Sequence, residues 1–346
     1  MRHHIAGWIQ RDSADYESDA WFCAVARLKQ ALGRSTSHCD TTPWSDLARL
    51  TAELAQLDWH QQLMIITDES WSKTCLAEIE QHLVTCAQAR NRPILIVTHR
   101  YQSRVVGPGV WLVSWPAFFL QSSRYCSGEF PQLAPGLETG FSSLNRRPAL
   151  HRLRLGLELH QQGLLSQVLF SLGGEDPEAW RAVAEAWPGF ADFAGLLPIE
   201  LDDHLPNDHT IDHRAYRESY CNIVTETDTE WDLSAHASTR EIITEKSYKP
   251  FLSGQIPLFL AAPGHMAYLE SLGFEVFWDL VPQGYDLMST QHKVQAIVDL
   301  VARGPEWIEQ FYWAHLPAIQ HNWAWIQSGQ VERRLIDSIQ QLIDRA

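Results

Sequence analysis

Apolar residues along the chain follow two spacings, and their alternation predicts an α/β protein. Ala20 to Leu32 is apolar at the three-to-four spacing of a helix, and Ser45 to Leu57 repeats the pattern with Thr42 or Ser45 as its cap. A compact run follows, Leu63-Met64-Ile65-Ile66-Thr67, closed by Asp68-Glu69-Ser70. Short unbroken apolar runs of this kind mark parallel strands buried on both faces, so this one predicts a strand that delivers two carboxylates to a loop. Lys73 to Ala89 predicts a helix, and Pro93 to Thr98, finishing at His99-Arg100, predicts a second strand. Val110 to Ser114 predicts a third. The rhythm is that of a doubly wound sheet.

From Cys126 to Gly140 the composition turns to Gly, Pro, Ser and Glu, with Pro131, Pro135, Gly136 and Gly140 as punctuation, which predicts a linker. A second α/β series follows it: helix His151 to Gln162, strand Gln167 to Leu172, helix Glu178 to Ala186 and strand Tyr220 to Thr225, which leads to Glu226. A helix near Glu245 to Ser253 and an apolar strand Ile256 to Ala261 come next. From His292 onward the pattern is of consecutive helices. The expected organisation is an N-terminal α/β domain over 1–128, a second α/β domain over 141–300 and C-terminal helices over 301–346.

Composition narrows the classes. The chain has 346 residues and is 45% hydrophobic, ample for two cores. Its start has no extended apolar segment like that of a signal peptide, and no run reaches the roughly 20 apolar residues of a membrane helix, so a cytoplasmic protein with no membrane segment is expected. The six cysteines are scattered without a CxxC pair and are read as reduced structural thiols. A formal net charge of -15 argues against a broad nucleic-acid or anionic-lipid surface. Fifteen tryptophans are a heavy load, and the late group of Trp307, Trp313, Trp323 and Trp325 is assigned to packing ahead of sugar stacking.

Two constellations carry candidate chemistry. The first is the basic run Asn145-Arg146-Arg147-Pro148-Ala149-Leu150-His151-Arg152-Leu153-Arg154. Pro148 suits a first helical turn, which places Arg146, Arg147, His151 and Arg152 about a helix N-terminus, where arginine forks and free amides bind phosphate. A solvated basic face paired with Glu158 is the competing structural account. The second constellation is the strand ending in Thr225-Glu226-Thr227, followed by Arg240 to Pro250, with Thr244 as N-cap of a helix on which Lys246 and Lys249 share a face. A strand-end carboxylate lies where ligands sit in open α/β sheets. Glu226 and Glu245 are therefore candidates for ribose or sugar hydroxyls, with the lysines on a diphosphate and Thr227 and Arg240 beside them. An ordinary helix with surface ion pairs is the alternative.

The stretch Ile243-Thr244-Glu245-Lys246-Ser247-Tyr248-Lys249-Pro250 through Gly254-Gln255-Ile256-Pro257-Leu258 resembles the donor-binding motif of the α-1,3-fucosyltransferases. There a Thr-Glu-Lys triplet opens a helix and a Gly-x-x-Pro turn leads to a hydrophobic strand. It is similar also to a group of phage and bacterial glycosyltransferase-like proteins, in the segments here represented by Asn145-Arg146-Arg147, Leu272-Gly273-Phe274 and Tyr285-Asp286. The resemblance covers roughly residues 141 to 300. It implies a GT-B type architecture, two Rossmann-like domains facing a cleft, with a nucleoside-diphosphate-sugar on the C-terminal one. By it Glu245 and Lys246 belong to the donor site and Lys249 to the phosphates.

No Asp-x-Asp stands where a diphosphate is expected, since Asp202-Asp203 and Asp228-Thr229-Glu230 are the nearest approximations. Cations can perform the same task as a metal, so no metal and no cofactor beyond the sugar donor are expected. A base for the acceptor hydroxyl would be Asp68 or Glu69, with His99 as second choice; strand-end acids that cap the next helix are the plainer explanation. The acceptor expected is a glycan or a hydroxylated base in DNA. A noncatalytic nucleotide- or glycan-binding protein on the same scaffold is the alternative.

Overall fold

The structure, a computed structural model, describes residues 27, 28, 30–33, 36–40, 63–68, 73–98, 103–120, 128–146, 148–173, 187–201, 211, 213–226 and 243–344. The protein is α/β, with two sheets that are parallel apart from one edge strand. The expected helices Ser45 to Leu57 and Glu178 to Ala186 lie outside the described residues, as does most of Ala20 to Leu32.

The first sheet contains β1 (Thr36–Asp40), β2 (Leu63–Asp68), β3 (Ile94–Thr98), β4 (Arg104–Gly107) and β5 (Val110–Ser114), in the order β1-β2-β3-β5-β4. Helix α1 (Lys73–Arg90) connects β2 to β3. The apolar runs read as buried strands are β2, β3 and β5, and Ile94, Leu95, Ile96 and Val97 of β3 have no exposed surface. A second finding is β4, which pairs antiparallel to β5 at the edge. Arg104 and Val105 are exposed and Val106 and Gly107 half-buried, so this four-residue strand has no alternating signal. After β5 comes the short helix α2 (Ala117–Leu120).

The second sheet contains β6 (Phe141–Asn145), β7 (Val168–Leu172), β8 (Cys221–Thr225) and β9 (Ile256–Leu260), in the order β7-β6-β8-β9. Helix α3 (Leu150–Gln161) joins β6 to β7, and α4 (Phe190–Ala194) falls between β7 and β8. Helix α5 (Glu245–Leu252) precedes β9, and α6 (His265–Ser271) follows it. Pro257 pairs with Asn222 on the outermost strand, where its missing N–H breaks no ladder. The chain leaves β6 toward β7 on one side and returns to β8 on the other. The order of strands therefore reverses between β6 and β8, the position at which open α/β sheets bind ligands outside the carboxyl ends of their strands.

Helices α7 (Thr290–Val301), α8 (Pro305–Ala314), α9 (Leu316–Gln327) and α10 (Gln330–Asp344) complete the chain. Helix α7 packs on α3, α9 on α5, and α10 on β5 of the first sheet, where Glu332 also pairs with Arg27. The late tryptophans are half-buried; Trp307, Trp313 and Trp325 pack on the core while the indole N–H of Trp325 reaches the Leu272 carbonyl. Among the described residues no helix is long and apolar enough to cross a membrane.

The segment 128–140 has no helix or strand, as expected of a linker, yet it is fastened down. Tyr220 Oη donates to Ala134 O and accepts from Leu137 N, Tyr312 Oη accepts from Leu133 N, and Leu133 is buried.

Candidate functional site

The ladder between β6 and β8 runs for only two residue pairs, Phe141↔Cys221 and Ser142↔Asn222, whereas β6–β7 and β8–β9 pair along their whole length. Past Ser142 the backbone ladder ends, although the two strands continue side by side. The β8 carbonyls that lose their ladder partners are buried, and a buried carbonyl without a donor costs about 1–3 kcal/mol. Side chains replace the ladder. Ser143 Oγ donates to Ile223 O at 3.1 Å, and Arg152 Nη2 donates to Thr225 O at 3.1 Å and Glu226 O at 3.3 Å. His151 Nε2 lies 2.9 Å from Glu226 O. Because a carbonyl only accepts, Nε2 carries the proton and donates. Asn145, at the end of β6, is held by Ser171 and Ser143 and accepts from Thr225 Oγ1, which ties the ends of β6 and β8 together.

His151 and Arg152 stand in the first turn of α3, whose N-cap is Ala149. Pro148 therefore precedes the cap rather than opening the helix, which corrects the expected placement. His151 is fully buried, and burial, with the neighbouring Arg152 charge second and Lys246 a lesser contributor, pushes its pKa down to about 3. The imidazole is neutral, and its Nδ1 has no hydrogen-bond partner among the described residues. Both residues were expected to contact phosphate; with His151 at 0% and Arg152 at 6% exposure, the hydrogen bonds seen here go to the end of β8 instead.

Glu226 is the centre of the junction. Its N–H donates to Leu260 O at 3.1 Å and its carbonyl takes His151 and Arg152. Its carboxylate accepts from Thr244 N at 3.1 Å, from Thr244 Oγ1 at 2.7 Å and from Ser247 Oγ at 2.5 Å. Since Ser247 gives its one proton to Glu226, His265 Nε2, 2.9 Å away, must be the donor in their contact. Burial holds the pKa of His265 down to about 3, against the pull of Asp286. Glu226 was expected to reach sugar hydroxyls, but it is completely buried and both its oxygens are engaged in joining β8 to α5.

Thr244 caps α5 as expected, its hydroxyl accepting from Lys246 N at 3.3 Å and from Lys246 Nζ at 3.3 Å. Lys246 also pairs with Glu245 at 2.9 Å and is 30% exposed. Burial raises the Glu245 carboxyl, but Lys246 and Lys249 outweigh it and hold the pKa below its usual value. The structure thus brings the two constellations together at one point, with Arg152 and Lys246 both acting on His151. Arg146 stands exposed one residue beyond β6, where its carbonyl would lie 2.9 Å from a Cβ at Gly173, so only glycine fits there.

Asp68 ends β2 at the carboxyl edge of the first sheet, in parallel register with Thr98. Glu69, His99, Arg147, Thr227 and Arg240 lie outside the described residues. Sequence reasoning missed Ser247 and His265, which fill the space behind Glu226. It also gave Tyr285-Asp286 and Leu272-Gly273-Phe274 no position. Asp286 accepts from Met266 N and Ala267 N at 3.1 Å each, Tyr285 Oη donates to Phe259 O, and Phe274 stacks on Phe251 of α5 at 4.7 Å. These motifs frame α5 and β9. Among the described residues no cluster of His, Cys, Asp and Glu is disposed to hold a metal.

No protein-family model matches the chain, and no curated protein matches it significantly.

Proposed function

We propose that this protein is a glycosyltransferase that binds a nucleoside-diphosphate-sugar at the carboxyl edge of the second sheet and moves the sugar to an acceptor hydroxyl. One feature carries the proposal: at the strand-order reversal the backbone ladder between β6 and β8 ends early, and the capped N-terminus of α5 with Lys246 stands at that carboxyl edge, its Thr244 bonded to Glu226. Helix N-termini and ammonium groups are complementary to a diphosphate. The Thr244-Glu245-Lys246 triplet, which resembles the fucosyltransferase donor motif, occupies that position.

In the reaction proposed, the acceptor oxygen attacks the anomeric carbon, the bond from that carbon to the diphosphate oxygen breaks, and a base takes the acceptor proton. Lys246, Lys249 and the positive end of the α5 dipole stabilise the departing diphosphate, with Arg146 at the end of β6. The first sheet supplies the other wall of a GT-B type cleft, and Asp68, Glu69 and His99 are the candidate bases. The acceptor is a glycan or a hydroxylated DNA base; binding to DNA that weakens steeply with salt selects the latter.

A thermal-shift panel of GDP, UDP, ADP and CMP with their sugars tests the proposal, because a ligand of the folded state raises the melting temperature with its concentration. One nucleotide-sugar is expected to stabilise the protein and to be hydrolysed or transferred. Asp68→Asn, Glu69→Gln and His99→Asn are then compared for donor turnover, and one of them is expected to lower it by about 100-fold or more. Stabilisation by a nucleotide-sugar without any turnover would assign the protein to noncatalytic binding, and no stabilisation by any of them would remove the donor site.

A further inference from the structure

Glu226 has no surface of its own, yet each of its polar groups is committed: the N–H to β9, the carbonyl to α3, the carboxylate to Thr244 and Ser247 of the α5 cap. Such a residue contacts no ligand, so its contribution to a donor site is indirect. The path is short. Thr244 Oγ1 spends its proton on Glu226 Oε2, and its lone pairs are thereby turned toward the backbone N–H and the Nζ of Lys246. Behind the carboxylate, His265 donates to Ser247 and Ser247 donates to Oε1, which keeps Oε2 for Thr244. A carboxylate accepts at both oxygens. An amide in its place would turn one oxygen into a donor aimed at Thr244, whose hydroxyl would then have to accept there and be drawn off Lys246.

We infer that Glu226 is a positioning residue that acts through Thr244 to set the Lys246 ammonium for a diphosphate, an inference that rests on the donor-site proposal above. Arg152 and His151 fix its carbonyl end and Ser247 and His265 its carboxylate end, so the hub joins the end of β8 to α5.

The test is a double-mutant cycle on the full-length protein, with inorganic pyrophosphate and GDP or UDP as probes in calorimetric titrations. Lys246→Met is expected to weaken pyrophosphate, and Glu226→Gln to weaken it by about tenfold, the scale of one charge-assisted hydrogen bond. In the Lys246→Met background Glu226→Gln is expected to change affinity no further, because coupled residues are not additive. A general loosening of the fold would instead give losses that multiply. Thr244→Val should reproduce the loss and Thr244→Ser, which keeps the hydroxyl, should restore affinity; this pair decides the matter even if Glu226→Gln fails to fold. Independent losses, or wild-type affinity in Thr244→Val, overturn the positioning role and leave the donor site standing. Absence of pyrophosphate and nucleotide binding in the wild type, or wild-type affinity in Lys246→Met, overturns the donor site and this role with it.

Discussion

His151 and His265 flank Glu226 from opposite sides, one bonded to its carbonyl and the other reaching its carboxylate through Ser247. Both have pKa values held near 3, chiefly by burial, against an ordinary value of 6.5. A neutral folded histidine that becomes protonated on unfolding makes the unfolded chain bind more protons, so stability falls as pH drops below 6.5 and keeps falling toward 3. Glu245 behaves differently: its depressed pKa contributes stability above the usual carboxyl value of 4.5 that is lost below it. Between pH 6.5 and 5.0 the two histidines act without it. Together they should remove about 3 kcal/mol over that interval. Urea unfolding at the two pH values measures this, and His265→Gln should show about half the loss of the wild type. An equal loss in the variant would mean that His265 is not a buried neutral group.

At the scale of elements, Gly254 turns the chain from α5 into β9 with φ of 68°, and a Cβ there would stand 2.6 Å from the Pro131 carbonyl oxygen. Gly329 has nearly the same φ, 66°, with nothing within 4 Å. Gly329→Ala should therefore cost about 1 kcal/mol, the left-handed backbone alone, and Gly254→Ala about 3 kcal/mol or more, because the fastened segment 128–140 cannot yield. Equal melting temperatures for the two variants would refute the close approach. The turn and both its flanking elements were readable from spacing, as were β2, β3, β5, β7 and β8 to within about a residue. Strand β6 was not. Its Phe-Ser-Ser-Leu-Asn sequence is polar where a buried strand should be apolar, because Ser142, Ser143 and Asn145 serve as hydrogen-bonding partners within the sheet. The feature that makes the site, a ladder that stops early, leaves a polar signature indistinguishable from a loop. Likewise β1, Thr-Ser-His-Cys-Asp, has no apolar run. The two constellations were legible as charge; that Glu226, His151 and Arg152 are buried at the end of β8 depended on where the ladder ends and was not.

The whole molecule is held together late in the chain. Helix α9 lies on α5 and α10 on β5, so the last 30 or so residues touch the elements of both sheets. Helix α10 does this with a stripe at four-residue spacing, Val331, Leu335, Ile339 and Ile343, all buried, while the opposite face is charged. Direct contacts between the halves add to it: Ser114 Oγ at the end of β5 meets Tyr268 Oη of α6 at 2.6 Å, and Phe119 of α2 packs edge-on to Phe274 and Tyr248. Two sheets joined in this manner, with buried residues of both in one continuous core, should unfold together. Amide hydrogen exchange reads this directly, since amides in β3 and β8 should exchange with the same opening free energy. Ile339→Ala, which leaves a cavity worth about 2–4 kcal/mol, should lower protection equally in both strands. If the loss were confined to β3 while β8 kept its protection, the halves would be independent folding units, and the C-terminal helix would serve the first sheet alone.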